Sequence, residues 1–210
     1  MPSRTSPVII LLFLVATLIT ACSTRERLKP APEEAQPPIC LRIKGTFEMN
    51  GLKGRLLILT REPDLIRVEL YGAMNTLLMA VAGDGRRCSF YRDGKVGGCS
   101  WENSILVGPE ELVSIITARY QRLTGWKNRK DKDGRVVKLT KYHGDSPLVV
   151  ITIDGYRVVG ERLLPASLLI RGKGRKLKLE FREITPEPSI GMDSFRLGFR
   201  REALPPSILS

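Results

Sequence analysis

From Cys40 onward the apolar residues come in short β-branched or leucine-rich runs with a period near two, broken by Gly, Pro, Asn and Asp. The runs at 40–49, 54–61, 65–74, 76–82, 87–92, 95–101, 135–142, 147–153, 156–159, 163–171, 176–184 and 194–200 read as strands. Most of the intervening segments are too short for parallel crossovers, so the predicted sheet is antiparallel and built largely from hairpins. Ile66, Val68 and Leu70 alternate with Arg67 and Glu69, and Leu177, Leu179 and Phe181 alternate with Lys178, Glu180 and Arg182. One face is therefore expected to be apolar and the other wet. Leu56-Leu57-Ile58-Leu59 breaks this alternation and predicts a strand covered on both sides. A single helical period follows Gly108-Pro109, with Glu110 and Glu111 in its first turn and an end before Gly125. Leu112, Ile115, Ile116 and Leu123 share one face of it, which would lie across the apolar face of the sheet.

Ahead of the strands, Arg4 and an apolar run from Val8 to Ile19 lead into Leu18-Ile19-Thr20-Ala21-Cys22. The run is too short for a final bilayer-spanning anchor. The segment resembles the lipobox of bacterial lipoproteins, which implies removal of residues 1–21 as a signal peptide and acylation of Cys22. By the sorting rule of enteric bacteria, Ser23 then implies the outer membrane, with the chain lipid-anchored at its periplasmic face. An ordinary secreted protein or an uncleaved N-terminal anchor is the alternative. Residues 22–38 carry Pro30, Pro32, Pro37 and Pro38 and read as a stiff tether. The expected folded domain spans 39–203, with a tail at 204–210. About 190 residues remain after cleavage, enough for one domain with a real core.

The formal charge of +12 changes meaning once export is assumed. In the envelope the abundant anions are lipid headgroups, so a membrane surface outranks nucleic acid as the partner. Two basic clusters stand out: Lys127, Arg129, Lys130 and Lys132, and Arg171, Lys173, Arg175, Lys176 and Lys178. Neither interleaves the aromatic residues that stack nucleic-acid bases. Each can touch phosphates, and each is equally explained as a solvated turn of a basic protein. The turn at Ala73 and Met74 is apolar where polar residues are usual, which suits insertion into lipid or folding back onto the sheet.

Catalytic chemistry finds little support, and the expected protein is not an enzyme. His143 is the only histidine, and it sits in a turn-like Tyr142-His143-Gly144-Asp145-Ser146-Pro147. No cysteine or histidine shows metal-ligand spacing, and neither a metal nor another cofactor is expected. Cys88 and Cys99 flank the hairpin signal Asp93-Gly94, and pairing Arg92 with Lys95 brings 88 opposite 99. A disulfide and two buried free thiols both fit, with a bulge at Gly97-Gly98 easing the geometry of the bridge. Cys40 is expected to be a small buried hydrophobe.

Several segments together resemble the LolA/LolB superfamily: Lys44-Gly-Thr-Phe-Glu-Met, Leu65-Ile-Arg-Val-Glu-Leu running to Gly72, Asp84-Gly85 before Ser89-Phe-Tyr, Pro109-Glu-Glu-Leu-Val, Leu164-Pro-Ala-Ser-Leu and Ser194-Phe-Arg-Leu. The resemblance implies a mainly β fold, a curved antiparallel sheet or incomplete β-barrel whose apolar concave face is covered by one or a few helices. It further implies binding of the acyl chains of lipoproteins or of phospholipid, in the manner of the outer-membrane acceptor of that family. A periplasmic carrier protein is the implied supplier. Leu56, Ile58, Ile66, Val68, Leu70, Leu77, Met79, Leu112, Ile116, Leu177, Leu179 and Phe181 are the expected groove lining, and Ala73 and Met74 match the family's membrane-inserting loop. Prolines replace any helix before the first strand, which implies a smaller lid. The alternative is a structural or adaptor lipoprotein that uses the same fold to bind a protein in envelope assembly. Intact mass measurement of the mature chain should show a start at acylated Cys22, and Cys22→Ser should leave the chain unacylated.

Overall fold

Hairpin after hairpin closes at the turn signals, so that each strand lies beside its neighbour in sequence over most of the sheet. A computed structural model describes residues 38–84, 87–98 and 107–197, all within the unit Pro32–Ser210. The strands are β1 (Cys40–Met49), β2 (Leu52–Arg61), β3 (Leu65–Tyr71), β4 (Leu77–Asp84), β5 (Cys88–Arg92), β6 (Lys95–Gly98), β7 (Trp126–Lys130), β8 (Val136–His143), β9 (Ser146–Ile153), β10 (Tyr156–Val159), β11 (Arg162–Pro165), β12 (Ser167–Gly172) and β13 (Arg175–Pro186). Helix α1 (Pro109–Ile116) lies between β6 and β7 in the chain. Eleven strands form one sheet in the order β6-β5-β4-β3-β2-β1-β13-β12-β9-β8-β7, while β10 and β11 pair separately. Its described pairings are antiparallel, from the β1–β2 hairpin to the long-range β1–β13 pair. This is the expected mainly β architecture, an incomplete barrel with a helix across its concave face.

The curvature has local causes. Register shifts fall between Lys44 and Gly45, Leu70 and Tyr71, Arg129 and Lys130, and Lys141 and Tyr142. Such bulges add an unpaired residue to one strand and bend it. At the first of them a Cβ on Gly45 would stand 2.0 Å from the carbonyl oxygen of Glu180, so only glycine admits this approach of β1 to β13.

Alternation sorts the apolar residues onto two sides. On the concave side Leu41, Ile43, Phe47, Leu56, Ile58, Ile66, Val68, Leu70, Val81, Leu139, Ile151, Leu168, Ile170, Leu179 and Phe181 join α1 in one continuous buried cluster. On the convex side Leu57, Leu59 and Leu65 pack with Ile190 and Phe195 of the segment that follows β13. Strand β2 is thus covered on both faces, as its unbroken leucine run predicts. The same segment overturns the expectation that Arg67 and Glu69 face water. Glu69 is 1% exposed, accepts hydrogen bonds from Arg67 (2.7 Å) and the Tyr71 hydroxyl (2.6 Å), and lies where Arg67 also donates to the carbonyl of Ser194. Burial, reinforced by the bond to Glu69, pushes the Tyr71 phenol far above its usual range.

Other boundaries depart from the sequence reading for physical reasons. The helix ends at Ile116 rather than near Gly125, because Ala118 adopts a left-handed φ of 60° and a 3-10 turn follows at Tyr120–Arg122. Leu123 nonetheless stays in the core. The run 163–171 divides at Ala166 into β11 and β12, where the Ala166 carbonyl accepts from Phe181 N–H while its own N–H donates to Gly155. The expected strand at 194–200 begins inside a 3-10 turn, Met192–Phe195, and its residues 198–200 lie outside the described residues. Strand β7 escapes detection because Trp126-Lys-Asn-Arg-Lys has no apolar alternation. Truncating Phe195 to Ala should cost about 3–5 kcal/mol by opening the convex cluster, read as a lower urea midpoint with an unchanged m-value.

Candidate functional site

Helix α1 is the element that closes the concave face, and its sequence explains how it is held. Pro109 and the first-turn acids suit a helix start. Leu112, Val113, Ile115 and Ile116 are all buried against the sheet. At its N-terminal end Glu111 accepts from Gly108 N–H (2.8 Å), from Trp126 Nε1 (2.9 Å) and from Lys141 Nζ (2.7 Å). Burial drives this carboxyl's pKa up, but the bonds from Lys141, Trp126 and Gly108 outweigh it and hold it below the usual carboxylate range. Glu111 therefore ties the helix start to the open edge at β7 and β8.

Beyond the other end of α1 the chain turns at Ala118 so that Arg119 reaches Glu62, between β2 and β3. Arg119 Nε lies 3.2 Å from Glu62 Oε1, and Arg162 Nη1, at the start of β11, lies 2.7 Å from the same oxygen. The Ile39 N–H donates to Glu62 Oε2 at 3.2 Å. The three charged side chains are 2–7% exposed. Desolvation raises the Glu62 pKa, yet the hydrogen bonds from Arg119 and Arg162 prevail and keep it below its ordinary 4.5. Nothing in the sequence pattern singles out this cluster, because its members lie 57 and 100 residues apart.

The expected groove residues sort into three groups. Leu56, Ile58, Ile66, Val68, Leu70, Leu112, Ile116, Leu179 and Phe181 come together in the concave cluster, each 8% exposed or less. Met79 and Leu177 are half-buried at its margin. Leu77 belongs elsewhere. The bulge in the β3–β4 pair sets Leu77 opposite Tyr71, which packs on the convex cluster, and Leu78 joins the concave side instead. The hairpin joining β3 and β4 presents Ala73 and Met74 to solvent, with Met74 96% exposed at a φ of 52°.

Across the β5–β6 hairpin, Arg92 faces Lys95, Tyr91 faces Val96, Phe90 faces Gly97 and Ser89 faces Gly98, so no bulge at Gly97-Gly98 interrupts the described register. Cys88 is disulfide-bonded, whereas Cys99 and Cys22 lie outside the described residues. Cys40 is a free, half-buried thiol on the convex cluster, and burial pushes its pKa up. His143 ends β8 on the surface, opposite Ser146. Among the described residues no group of His, Cys, Asp and Glu is arranged to hold a metal, and no helix is long and apolar enough to cross a membrane. A recess of about 500 Å³ lies on the convex side, lined by Ala82, Asp84, Arg87, Ser89, Phe195, Arg196 and Leu197.

No protein-family model and no curated protein matches this sequence. Among solved structures, a LolA-superfamily protein from Nitrosomonas europaea aligns over 77% of this chain and 91% of its own, with a TM-score of 0.52 at 8% identity. An outer-membrane lipoprotein-sorting protein domain from Vibrio parahaemolyticus aligns over 75% and 89%, with a TM-score of 0.48 at 11% identity. A DUF1329 family protein from Desulfovibrio piger aligns over 92% and 98%, with a TM-score of 0.48 at 8% identity. The first of these similarities bears on the fold, which is LolA/LolB-like.

Glu62→Gln should destabilise the fold by about 3–5 kcal/mol, since it leaves two buried guanidiniums uncompensated. Arg162→Met should cost less, because Glu62 keeps Arg119 and an Nη2 with no partner is removed. A carboxyl whose pKa is lowered by folding stabilises above its unfolded value, so the contribution of Glu62 should be whole above pH 4.5 and vanish as pH falls through its lower folded value. Urea unfolding of wild type and Glu62→Gln from pH 7 to 3 reads this as a converging pair of curves.

Proposed function

We propose that this half-barrel is a lipid-anchored envelope protein that binds acyl chains of lipoproteins or phospholipid beneath α1, as a LolB-like acceptor or carrier at the outer membrane. The observation that carries the proposal is the continuous apolar cluster on the concave face, closed by one eight-residue helix. Burial of each methylene stabilises by about 0.8 kcal/mol, so a saturated chain of some fifteen methylenes gains about 12 kcal/mol, enough to offset displacement of a short helix. No catalytic group is needed. Met79 and Leu177, half-buried at the margin, are the first residues an entering chain would meet. Met74, exposed on its turn, would enter the bilayer during delivery, and a periplasmic carrier protein would bring the cargo.

In this reading residues 1–21 are the signal peptide, acylated Cys22 is the anchor, and the proline tether to residue 38 gives the domain reach from the membrane. Cys88 pairs with Cys99 and braces the β5–β6 edge, a reading supported by the disulfide at Cys88 and by an unbroken register up to Ser89 opposite Gly98. The near-complete burial of the concave residues favours a second reading, an adaptor whose concave face is permanent core and which binds a protein partner in envelope assembly.

Native mass spectrometry of the chain purified without denaturant separates the two. A carrier should show a stoichiometric adduct of lipid or lipopeptide mass, and an adaptor should be adduct-free even after incubation with diacylated lipopeptide. Met74→Glu should block delivery of that lipopeptide to vesicles by tenfold or more without lowering the unfolding midpoint, and wild-type delivery by this variant would remove the loop from the mechanism.

A further inference from the structure

The two basic clusters are some forty residues apart in sequence, and the sheet brings them onto one surface. Reading the registers across strands, Lys176 faces Arg171, Arg171 faces Val150, Val150 faces Thr140 and Thr140 faces Lys127. The adjacent row runs Glu48, Lys178, Leu169, Thr152, Lys138 and Arg129. Both rows alternate with concave residues such as Leu139, Ile151, Ile170 and Leu177, so both lie on the convex side. Lys127, Arg129, Arg171 and Lys176 are exposed there, and the ammonium of Lys127 stands 4.8 Å from the centre of the Tyr142 ring.

Among the described residues, little opposing charge faces these cations. Strands β7, β8, β9 and β12 contain no Asp or Glu. Glu48 and Glu180, on β1 and β13, are already paired with Lys53 and Lys178. Five turns, at 50–51, 73–75, 93–94, 144–145 and 173–174, lie at one end of the sheet by antiparallel alternation. At that rim stand Leu52, Met74, Val96 and Tyr142, exposed by 47%, 96%, 37% and 38%, together with Lys53, Lys95 and Lys173. Apolar tips beside a predominantly basic face match a surface that offers hydrocarbon and phosphate together.

We propose that the convex face of β7, β8, β9, β12 and β13 docks on an anionic bilayer, with Lys127, Arg129, Lys138, Arg171 and Lys176 against headgroup phosphates and the turn rim leading into the lipid. The proposal rests on the membrane role given to the Met74 turn and adds the face that orients it. An acidic protein would satisfy the charges but not the apolar rim, and the scarcity of aromatic residues disfavours nucleic acid.

The test uses the full chain reconstituted in vesicles of phosphatidylcholine alone or with phosphatidylglycerol. Lysines are acetylated with a membrane-impermeant reagent and mapped by mass spectrometry, with Lys141, on the other face of β8, as internal reference. Labelling of Lys127, Lys138 and Lys176 should fall about threefold or more on the anionic vesicles and recover at high salt. Equal labelling on both vesicle types would overturn the proposal and leave the face to an acidic protein. Protection that persists at high salt would overturn it too. Met74→Glu measured alongside separates the two claims: wild-type delivery with lysine protection intact removes the loop and keeps the face, whereas blocked delivery without protection removes the face and keeps the loop.

Discussion

An open sheet with one apolar concave face has to hide that face, and here an eight-residue helix packs against it. A helix of that length has no stability of its own in water, so its position comes from tertiary contacts. Its apolar side chains provide the burial, and polar contacts fix where it sits. Glu111 secures the start to Trp126 and Lys141, and Arg119, just past the end, is held by the buried Glu62. Glu62 also receives Arg162 and the backbone of Ile39, so one carboxylate joins the start of β1, the β2–β3 turn, the exit from α1 and the start of β11. The cover is firm at both ends yet small, and its two attachments are polar.

The convex side is divided in character. Over β2 and β3 it is dry, sealed by Ile190 and Phe195 and by the buried Arg67–Glu69–Tyr71 group. Over β7, β8, β9, β12 and β13 it is basic, with Lys127, Arg129, Arg171 and Lys176 in solvent. A single alternating sheet can carry both because side chains on its two faces are chosen independently. The C-terminal segment decides which half is dry.

How much of this was legible along the chain depends on the range of the interaction responsible. Alternation and turn residues located the hairpins, and the leucine run of β2 announced its two-sided burial, because these are local signals. Leu77 was misplaced because a one-residue bulge moves a side chain to the other face, and nothing in Gly72 to Leu78 marks where the extra residue falls. The helix end was misjudged because Arg119 answers to Glu62, distant in sequence. Glu69 read as solvated since a charged residue in an alternating strand usually is, and its burial depends on a segment more than a hundred residues later. Residues that pack by apolar bulk were therefore recoverable, and those that act by long-range charge pairing were not.

The central claim is that α1 gives way to an acyl chain. Trp126 reports on it directly, since its indole N–H is bonded to Glu111 of that helix. With Trp101→Phe removing the other indole, titration with a diacylated lipopeptide should shift the emission of Trp126 saturably and at equimolar stoichiometry. Emission that stays unchanged while the lipopeptide binds, or a lipopeptide that does not bind at all, would contradict it.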